Sequence, residues 1–178
     1  AWWQDLEKQV QGWVDANPDS PLAHLTLTHV VMNHAWHIRG GGYASSVPAS
    51  AWKPFREEMA RARGYILKHS KIASRYPEYY ELRIHLETAL NSERETVDAV
   101  YDEATRRFPD YYPVYFAMTN YLLPQWHGDI DAVEAFVEGA GRAAELVGEL
   151  RGVTAAGVRF HYRDRELDVP WERFAGLF

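Results

Sequence analysis

Between Trp52 and Tyr76, packing-type residues return every third or fourth position: Trp52, Phe55, Met59, Ala62, Ile66, His69, Ala73, Tyr76. Such spacing lays one continuous stripe along an α-helix and does not suit a strand, whose faces alternate with period two. It predicts a single helix of about seven turns. Ser50 is its expected N-cap, and Pro77 follows its end. Two further stripes share the period. Val97, Val100 or Tyr101, Ala104 and Phe108 follow Ser92, with Glu95 three residues beyond that serine, as a capping box requires. Ile130, Val133, Val137, Ala140, Ala144 and Val147 follow Asp129, the expected N-cap.

Shorter helices are expected over Trp2–Asp15, Pro21–Ile38, Glu78–Leu90 and Tyr111–Leu122. Past Glu149 the period weakens, yet Arg151–Tyr162 still reads as helix. Pro170 is expected to open a last helix at its first turn, where a missing N–H costs nothing. No segment alternates cleanly for long, and the most strand-like run, Val158 to Tyr162, has no evident partner. The expected fold is therefore all-α, with roughly seven to nine helices.

Prolines punctuate the helices in equivalent settings: Asn17-Pro18-Asp19, Tyr76-Pro77-Glu78 and Phe108-Pro109-Asp110. Proline restricts the residue before it and donates no hydrogen bond, so each marks a helix end and a turn. Pro77 and Pro109 are 32 positions apart, and Pro18 and Pro77 are 59 apart, which suits a repeat swollen by the glycine-rich loop between them. Twelve, eight and five positions before each proline stand Leu6, Val10, Trp13; Tyr65, His69, Ile72; and Val97, Tyr101, Ala104. A tetratricopeptide (TPR) repeat places second-helix packing residues there. The expectation is one helical-repeat domain over residues 1–178, a TPR-like α-α superhelix of stacked antiparallel pairs. The nearly all-round apolar Pro21–Ile38 helix fits mid-stack, since repeat helices bury their stripes against neighbours.

Composition narrows the function classes. Seven Trp, eleven Tyr and seven Phe exclude a disordered chain. With no Cys there is neither a disulfide framework nor a thiolate metal site. The formal charge of −6 argues against a nucleic-acid partner, because phosphate neutralisation needs a basic face. The most apolar stretch, Leu22 to Ile38, holds four His, two Thr and an Asn. It falls short of the ~20 apolar residues that a bilayer span needs. A soluble domain, cytoplasmic or periplasmic, is expected. The chain starts at Ala1 and stops just after an apparent helix start, so it is expected to be a fragment of a longer chain or a form trimmed at its N-terminus.

Two signatures stand out. One is Trp36-His37-Ile38-Arg39-Gly40-Gly41-Gly42-Tyr43-Ala44, then Val47, Trp52 and Phe55. The other runs from Tyr111-Tyr112-Pro113-Val114-Tyr115-Phe116 to Tyr121-Leu122-Leu123-Pro124-Gln125-Trp126-His127-Gly128-Asp129. Together, over about residues 20–140, they resemble a bacterial family of TPR-like domains of unknown function. Where that family often carries Arg between the Pro and the Trp, this chain has Gln125. The resemblance implies a helical-repeat fold and carries over no catalytic residues.

Catalytic grammar is thin. His34 and His37 share a helix face, but no HExxH pattern accompanies them, and no metal or cofactor is expected. His69, in an apolar stripe, reads as a satisfied core residue. Glu57 and Glu58 are adjacent and project about 100° apart on a helix, which suits solvent better than paired acid–base work. Ser45-Ser46 lacks a nucleophile elbow. The loop from Arg39 to Pro48 follows a helix rather than a strand and has no P-loop Lys, so it reads as a chain reversal with Tyr43 and Val47 packed back. The binding residues expected are His34, His37, Arg39, Tyr43, Trp126 and His127. The function expected is a non-enzymatic protein- or peptide-binding scaffold, within which a bacterial adaptor or a toxin-neutralising immunity protein would fall. Two alternatives are a small-ligand-binding or metal-dependent enzyme built on His34, His37 and Arg39, and a purely structural module of a larger protein.

Overall fold

Helix follows helix from the N-terminus: α1 (Trp2–Ala16), α2 (Pro21–Arg39), α3 (Ala49–Lys68), α4 (Ser70–Ala73), α5 (Glu78–Ala89), α6 (Arg94–Arg107), α7 (Tyr112–Tyr121) and α8 (Ile130–Ala143). Three short strands come after them: β1 (Leu150–Thr154), β2 (Gly157–Tyr162) and β3 (Arg165–Pro170). The computed structural model describes residues 2–143, 150–154, 157–162 and 165–170. Residues 2–143 meet the all-α expectation, with eight α-helices among the described residues. The chain divides into two packing units, residues 1–118 and 119–178.

In the first unit, α2 lies against α1 and α3, α3 reaches α5, and α5 pairs with α6. Two-sided contact explains why α2 buries Leu25, Leu27, Val30, Val31 and Met32. Ser20 caps α2 by accepting from the Ala23 amide at 3.3 Å, and Pro21 fits its first turn. α1 is one-sided. Val10 and Val14 pack against Ala23, Leu27 and Tyr65, while Gln4, Asp5, Lys8, Gln9, Gln11 and Asp15 are exposed. α5 is enclosed like α2, burying Tyr79, Tyr80, Leu82, Ile84 and Leu86.

The long helix expected from Trp52 to Tyr76 is two helices. Phe55, Met59, Ala62 and Ile66 are buried along α3 as the stripe requires, but α3 ends at Lys68. His69 leaves helical geometry at φ −102 and ψ 16, and its carbonyl accepts from the Ile72 and Ala73 amides, both at 3.0 Å, as α4 begins. Periodicity is blind to this break because Ala73 is still fully buried beyond it. His69 itself is half-buried rather than core. At the other end the cap is Pro48, not Ser50, which sits inside the first turn.

The box expected at Ser92 is not used. Ser92 Oγ donates to Glu87 Oε2 at 2.6 Å, and α6 starts from Glu93 with no side-chain cap. Ser92 instead closes α5. Its amide donates to the Glu87 carbonyl at 3.0 Å, and the Asn91 amide to the Thr88 carbonyl at 3.2 Å. Asn91 has φ 60, so this is a Schellman closure with Asn in the left-handed position that glycine usually takes.

In the second unit, Asp129 caps α8 as expected, its Oδ1 accepting from the Ala132 amide at 2.7 Å. The stripe's last residues, Ala144 and Val147, lie outside the described residues. Arg151–Tyr162 is corrected from helix to strand, because β1, β2 and β3 form an antiparallel sheet in that order. Val158 is registered against both Val153 and Val169, and Phe160 against Leu167. β-Branched and aromatic residues favour such pleated pairing. Strands of five, six and six residues are too short for alternation to stand out in the sequence. Pro170 ends β3, and the last helix expected from it falls on residues 171–178, outside the described residues.

Candidate functional site

The glycine loop is built by Arg39. α2 terminates at Gly40, whose φ of 79 only glycine adopts without strain. Arg39 turns back over the loop, and its Nη1 donates to the Gly40 carbonyl at 3.0 Å and the Gly42 carbonyl at 3.1 Å. The guanidinium also lies 5.3 Å from the Trp36 ring centre and 5.2 Å from that of Trp52. Burial draws its pKa down from the ordinary arginine value. Ser46 donates to the Tyr43 carbonyl from its hydroxyl and its amide, both at 2.8 Å, closing a 3-10 turn over Ala44–Ser46. The expected inward packing of Tyr43 is overturned. Its ring is 89% exposed, because glycines on one side and a small-residue turn on the other offer no surface to cover it. Val47 is half-buried, as expected.

His34 and His37 meet at Trp3, whose ring centre is 5.4 Å from that of His34 and 5.6 Å from that of His37. His34 Nδ1 is 3.5 Å from Glu58 Oε2. Glu58 Oε2 accepts from Arg61 Nη2 at 2.6 Å, and Arg61 grips Glu7 with two hydrogen bonds at 2.5 and 3.0 Å. The hydrogen-bonded Arg61, against a smaller opposing effect of burial, holds the Glu7 carboxyl below the usual carboxylate range. Glu57 points to solvent beside Lys53 at 3.8 Å, so the two neighbouring acids do diverge, but Glu58 turns inward. Trp3, Glu7 and Arg61 were not marked by the sequence, and Glu58 was read there as facing solvent. Trp3 and Glu7 sit on α1 and Glu58 and Arg61 on α3, and only tertiary packing brings them to His34 on α2.

The remaining histidines of α2 are held separately. His24 is 1% exposed and has both ring nitrogens satisfied, with Tyr65 Oη at 2.7 Å from Nδ1 and the Pro18 carbonyl at 2.7 Å from Nε2. The carbonyl can only accept, so the Nε2 hydrogen donates and Nδ1 accepts from the tyrosine. Burial, with Asp15 nearby, pushes the Tyr65 phenol up to about 12, which keeps that donor protonated. His29 Nε2 pairs with Glu78 Oε1 at 2.8 Å. Next to it, Glu81 accepts from Tyr111 Oη at 2.7 Å and stands 3.8 Å from His85. Burial opposes ionisation of Glu81, but the neighbouring His85 and the bond from Tyr111 prevail and its pKa is lowered.

Inside α5, Glu87 is wholly buried and accepts from Arg63 Nε at 2.8 Å, Arg83 Nη2 at 2.8 Å and Ser92 Oγ at 2.6 Å. Arg83 continues to Tyr79 Oη at 3.0 Å. Tyr80 donates to Glu103 at 2.7 Å and accepts from Arg107. Burial, then Glu103, raises the Tyr80 phenol to about 12. These groups satisfy one another and hold helices together. Among the described residues, no group of three or more His, Asp or Glu side chains could hold a metal ion.

Trp126 and His127 belong to the second unit. The Trp126 amide donates to the Leu123 carbonyl at 2.9 Å, and the His127 ring stacks on Tyr121 at 4.6 Å. Gly128 is obligatory there, since a Cβ would stand 2.2 Å from the Leu122 carbonyl oxygen. The structure thus brings His34 and His37 together and links Arg39 to the Tyr43 loop. Trp126 and His127 form their own loop. Comparisons with family models, with curated proteins and with solved structures find no match. Among the described residues, no helix is long and apolar enough to cross a membrane.

Proposed function

We propose that the chain is a protein- or peptide-binding helical-repeat scaffold of TPR-like type that presents Tyr43 as its anchor. The observation that carries this reading is the pairing of a fixed backbone with an uncovered ring. Arg39 and Ser46 hold the loop, and Tyr43 is 89% exposed. A rigid aromatic loses little conformational entropy on insertion into a partner, which is why Tyr is frequent among interface hot spots. The order of helix contacts, α1 to α2 to α3 to α5 to α6, suits stacked hairpins. The net charge of −6 favours a basic partner.

The enzymatic alternative has less support. Arg39 donates to the loop's own carbonyls, and His34 and His37 pack under Trp3. A photo-crosslinking residue at position 43 in the source cell tests the scaffold reading, with the equally solvent-facing Lys53 as control. A discrete protein adduct at 43, absent at 53 and lost when Arg39→Ala loosens the loop, is expected. Equal or absent adducts at both positions would refute it. So would turnover of a small substrate that depends on His34.

A further inference from the structure

We propose that Arg39 is a carboxylate-binding subsite, and that the guanidinium edge formed by Nε and Nη2 takes an acidic group of the partner that Tyr43 anchors. Both hydrogen bonds of Arg39 leave from Nη1, to the Gly40 and Gly42 carbonyls. Among the described residues, its Nε and Nη2 have no hydrogen-bond partner. The N–H groups along that edge run parallel, at the spacing of the two oxygens of a carboxylate.

The charge balance sets Arg39 apart. Arg61, Arg63, Arg83, Arg94 and Arg107 each meet a carboxylate. Arg39 is half-buried and, among the described residues, meets none. Burial depresses its pKa, with no neighbouring acid to offset the effect. The two loop carbonyls compensate the charge only as dipoles. A cation taken partly out of water without a counter-ion gains from any anion that reaches it.

The group is also held in place before any ligand arrives. Trp36 and Trp52, both half-buried, lie against it, and the low dielectric of their rings strengthens a hydrogen bond made there. Gly42, whose carbonyl Arg39 holds, directly precedes Tyr43, so the cation and the exposed ring share one short loop. One guanidinium balances one carboxylate. A phosphate dianion would leave a negative surplus on a chain whose formal charge is already −6. A partner that is basic overall can still carry this acid, because long-range charge steers the encounter whereas a close ion pair fixes register. That the acid belongs to a partner rests on the scaffold reading; the subsite itself does not.

Acetate titration of the native chain at constant ionic strength tests the subsite, read at the Arg39 Nε–H in side-chain 15N spectra. Arg56 is the internal control, being exposed and, among the described residues, in no ion pair. A saturable shift at Arg39 is expected, with half-saturation roughly fivefold or more below that at Arg56 and below that of inorganic phosphate at Arg39. A response at Arg39 no stronger than at Arg56 overturns the subsite, and tighter binding of phosphate overturns its assignment to a carboxylate. Arg39→Lys keeps the charge but not the fork, and is expected to lose the acetate response at the Tyr43 amide; an undiminished response overturns the proposal too. An acetate response without a crosslinked adduct at position 43 supports the subsite and refutes the scaffold reading alone. An adduct without an acetate response refutes the subsite alone.

Discussion

Arg83 and Glu87, one turn apart on α5, share hydrogen bonds of 2.8 and 3.3 Å to a single carboxylate oxygen that has no solvent exposure. Burial pushes the Glu87 carboxyl up. Bonds from Arg63 and Ser92 and the adjacent Arg83 outweigh that push, and the net effect holds it below the usual carboxylate range. Removing the acid leaves two guanidinium groups facing one another. Glu87→Ala is expected to cost about 3–5 kcal/mol in urea unfolding. A loss below ~1 kcal/mol would show that the pair carries little of the fold.

Acid titration should expose the same group. A carboxyl with a depressed folded-state pKa stabilises above its unfolded value, and that stability is lost as pH falls through the folded value. Native protein is therefore expected to lose stability below the ordinary carboxylate value of 4.5, and Glu87→Gln to lose less over that window. Parallel curves of stability against pH would contradict this.

The His24–His69 stack at 4.3 Å sets a milder acid sensitivity. Burial first, then His24 and Lys68, lowers the His69 pKa below 6.5. The unfolded chain thus takes up the proton first. His69 contributes its full stability above 6.5 and loses it as pH falls from there through the folded value. His69→Phe should flatten that part of the thermal-stability profile, and an unchanged slope would count against the assignment.

Asn91 and Gly128 separate two backbone demands. Asn91 has φ 60 and is exposed, so Asn91→Gly is expected to be neutral or stabilising by up to ~1 kcal/mol. Asn91→Val should destabilise by about 1–2 kcal/mol at the same site. Gly128→Ala must displace a backbone carbonyl that would stand 2.2 Å from the new carbon. Thermal unfolding of the three variants checks the ranking, and a Gly128→Ala as stable as the native chain would remove the steric argument.

Arg39→Ala frees the carbonyls of Gly40 and Gly42 and unstacks two indoles. Limited proteolysis is expected to cut sooner within Gly41–Tyr43, with a stability loss of about 1 kcal/mol. Tyr43→Ala touches no packed surface and should leave stability within ~0.5 kcal/mol of native. If Tyr43→Ala unfolds the protein, the loop is structural rather than a presenting element.

Local chemistry alone determined much of this protein. Three-and-four spacing located the stripes of α3, α6 and α8. Asp129 and the glycines after Arg39 marked chain punctuation, because caps and positive φ are decided within a few residues. What neighbours in space decide was not legible. The break at His69 left the stripe intact, Ser92 was drawn from capping to a buried Glu87, and three short strands acquired their identity only by pairing. At the candidate site, His34, His37, Arg39 and Tyr43 were legible as residue types. Their surroundings were not, because Trp3, Glu58 and Arg61 reach His34 from other helices, and the exposure of Tyr43 depends on what the fold leaves uncovered. Distance along the chain hides both burial and charge partners, and only tertiary packing sets them.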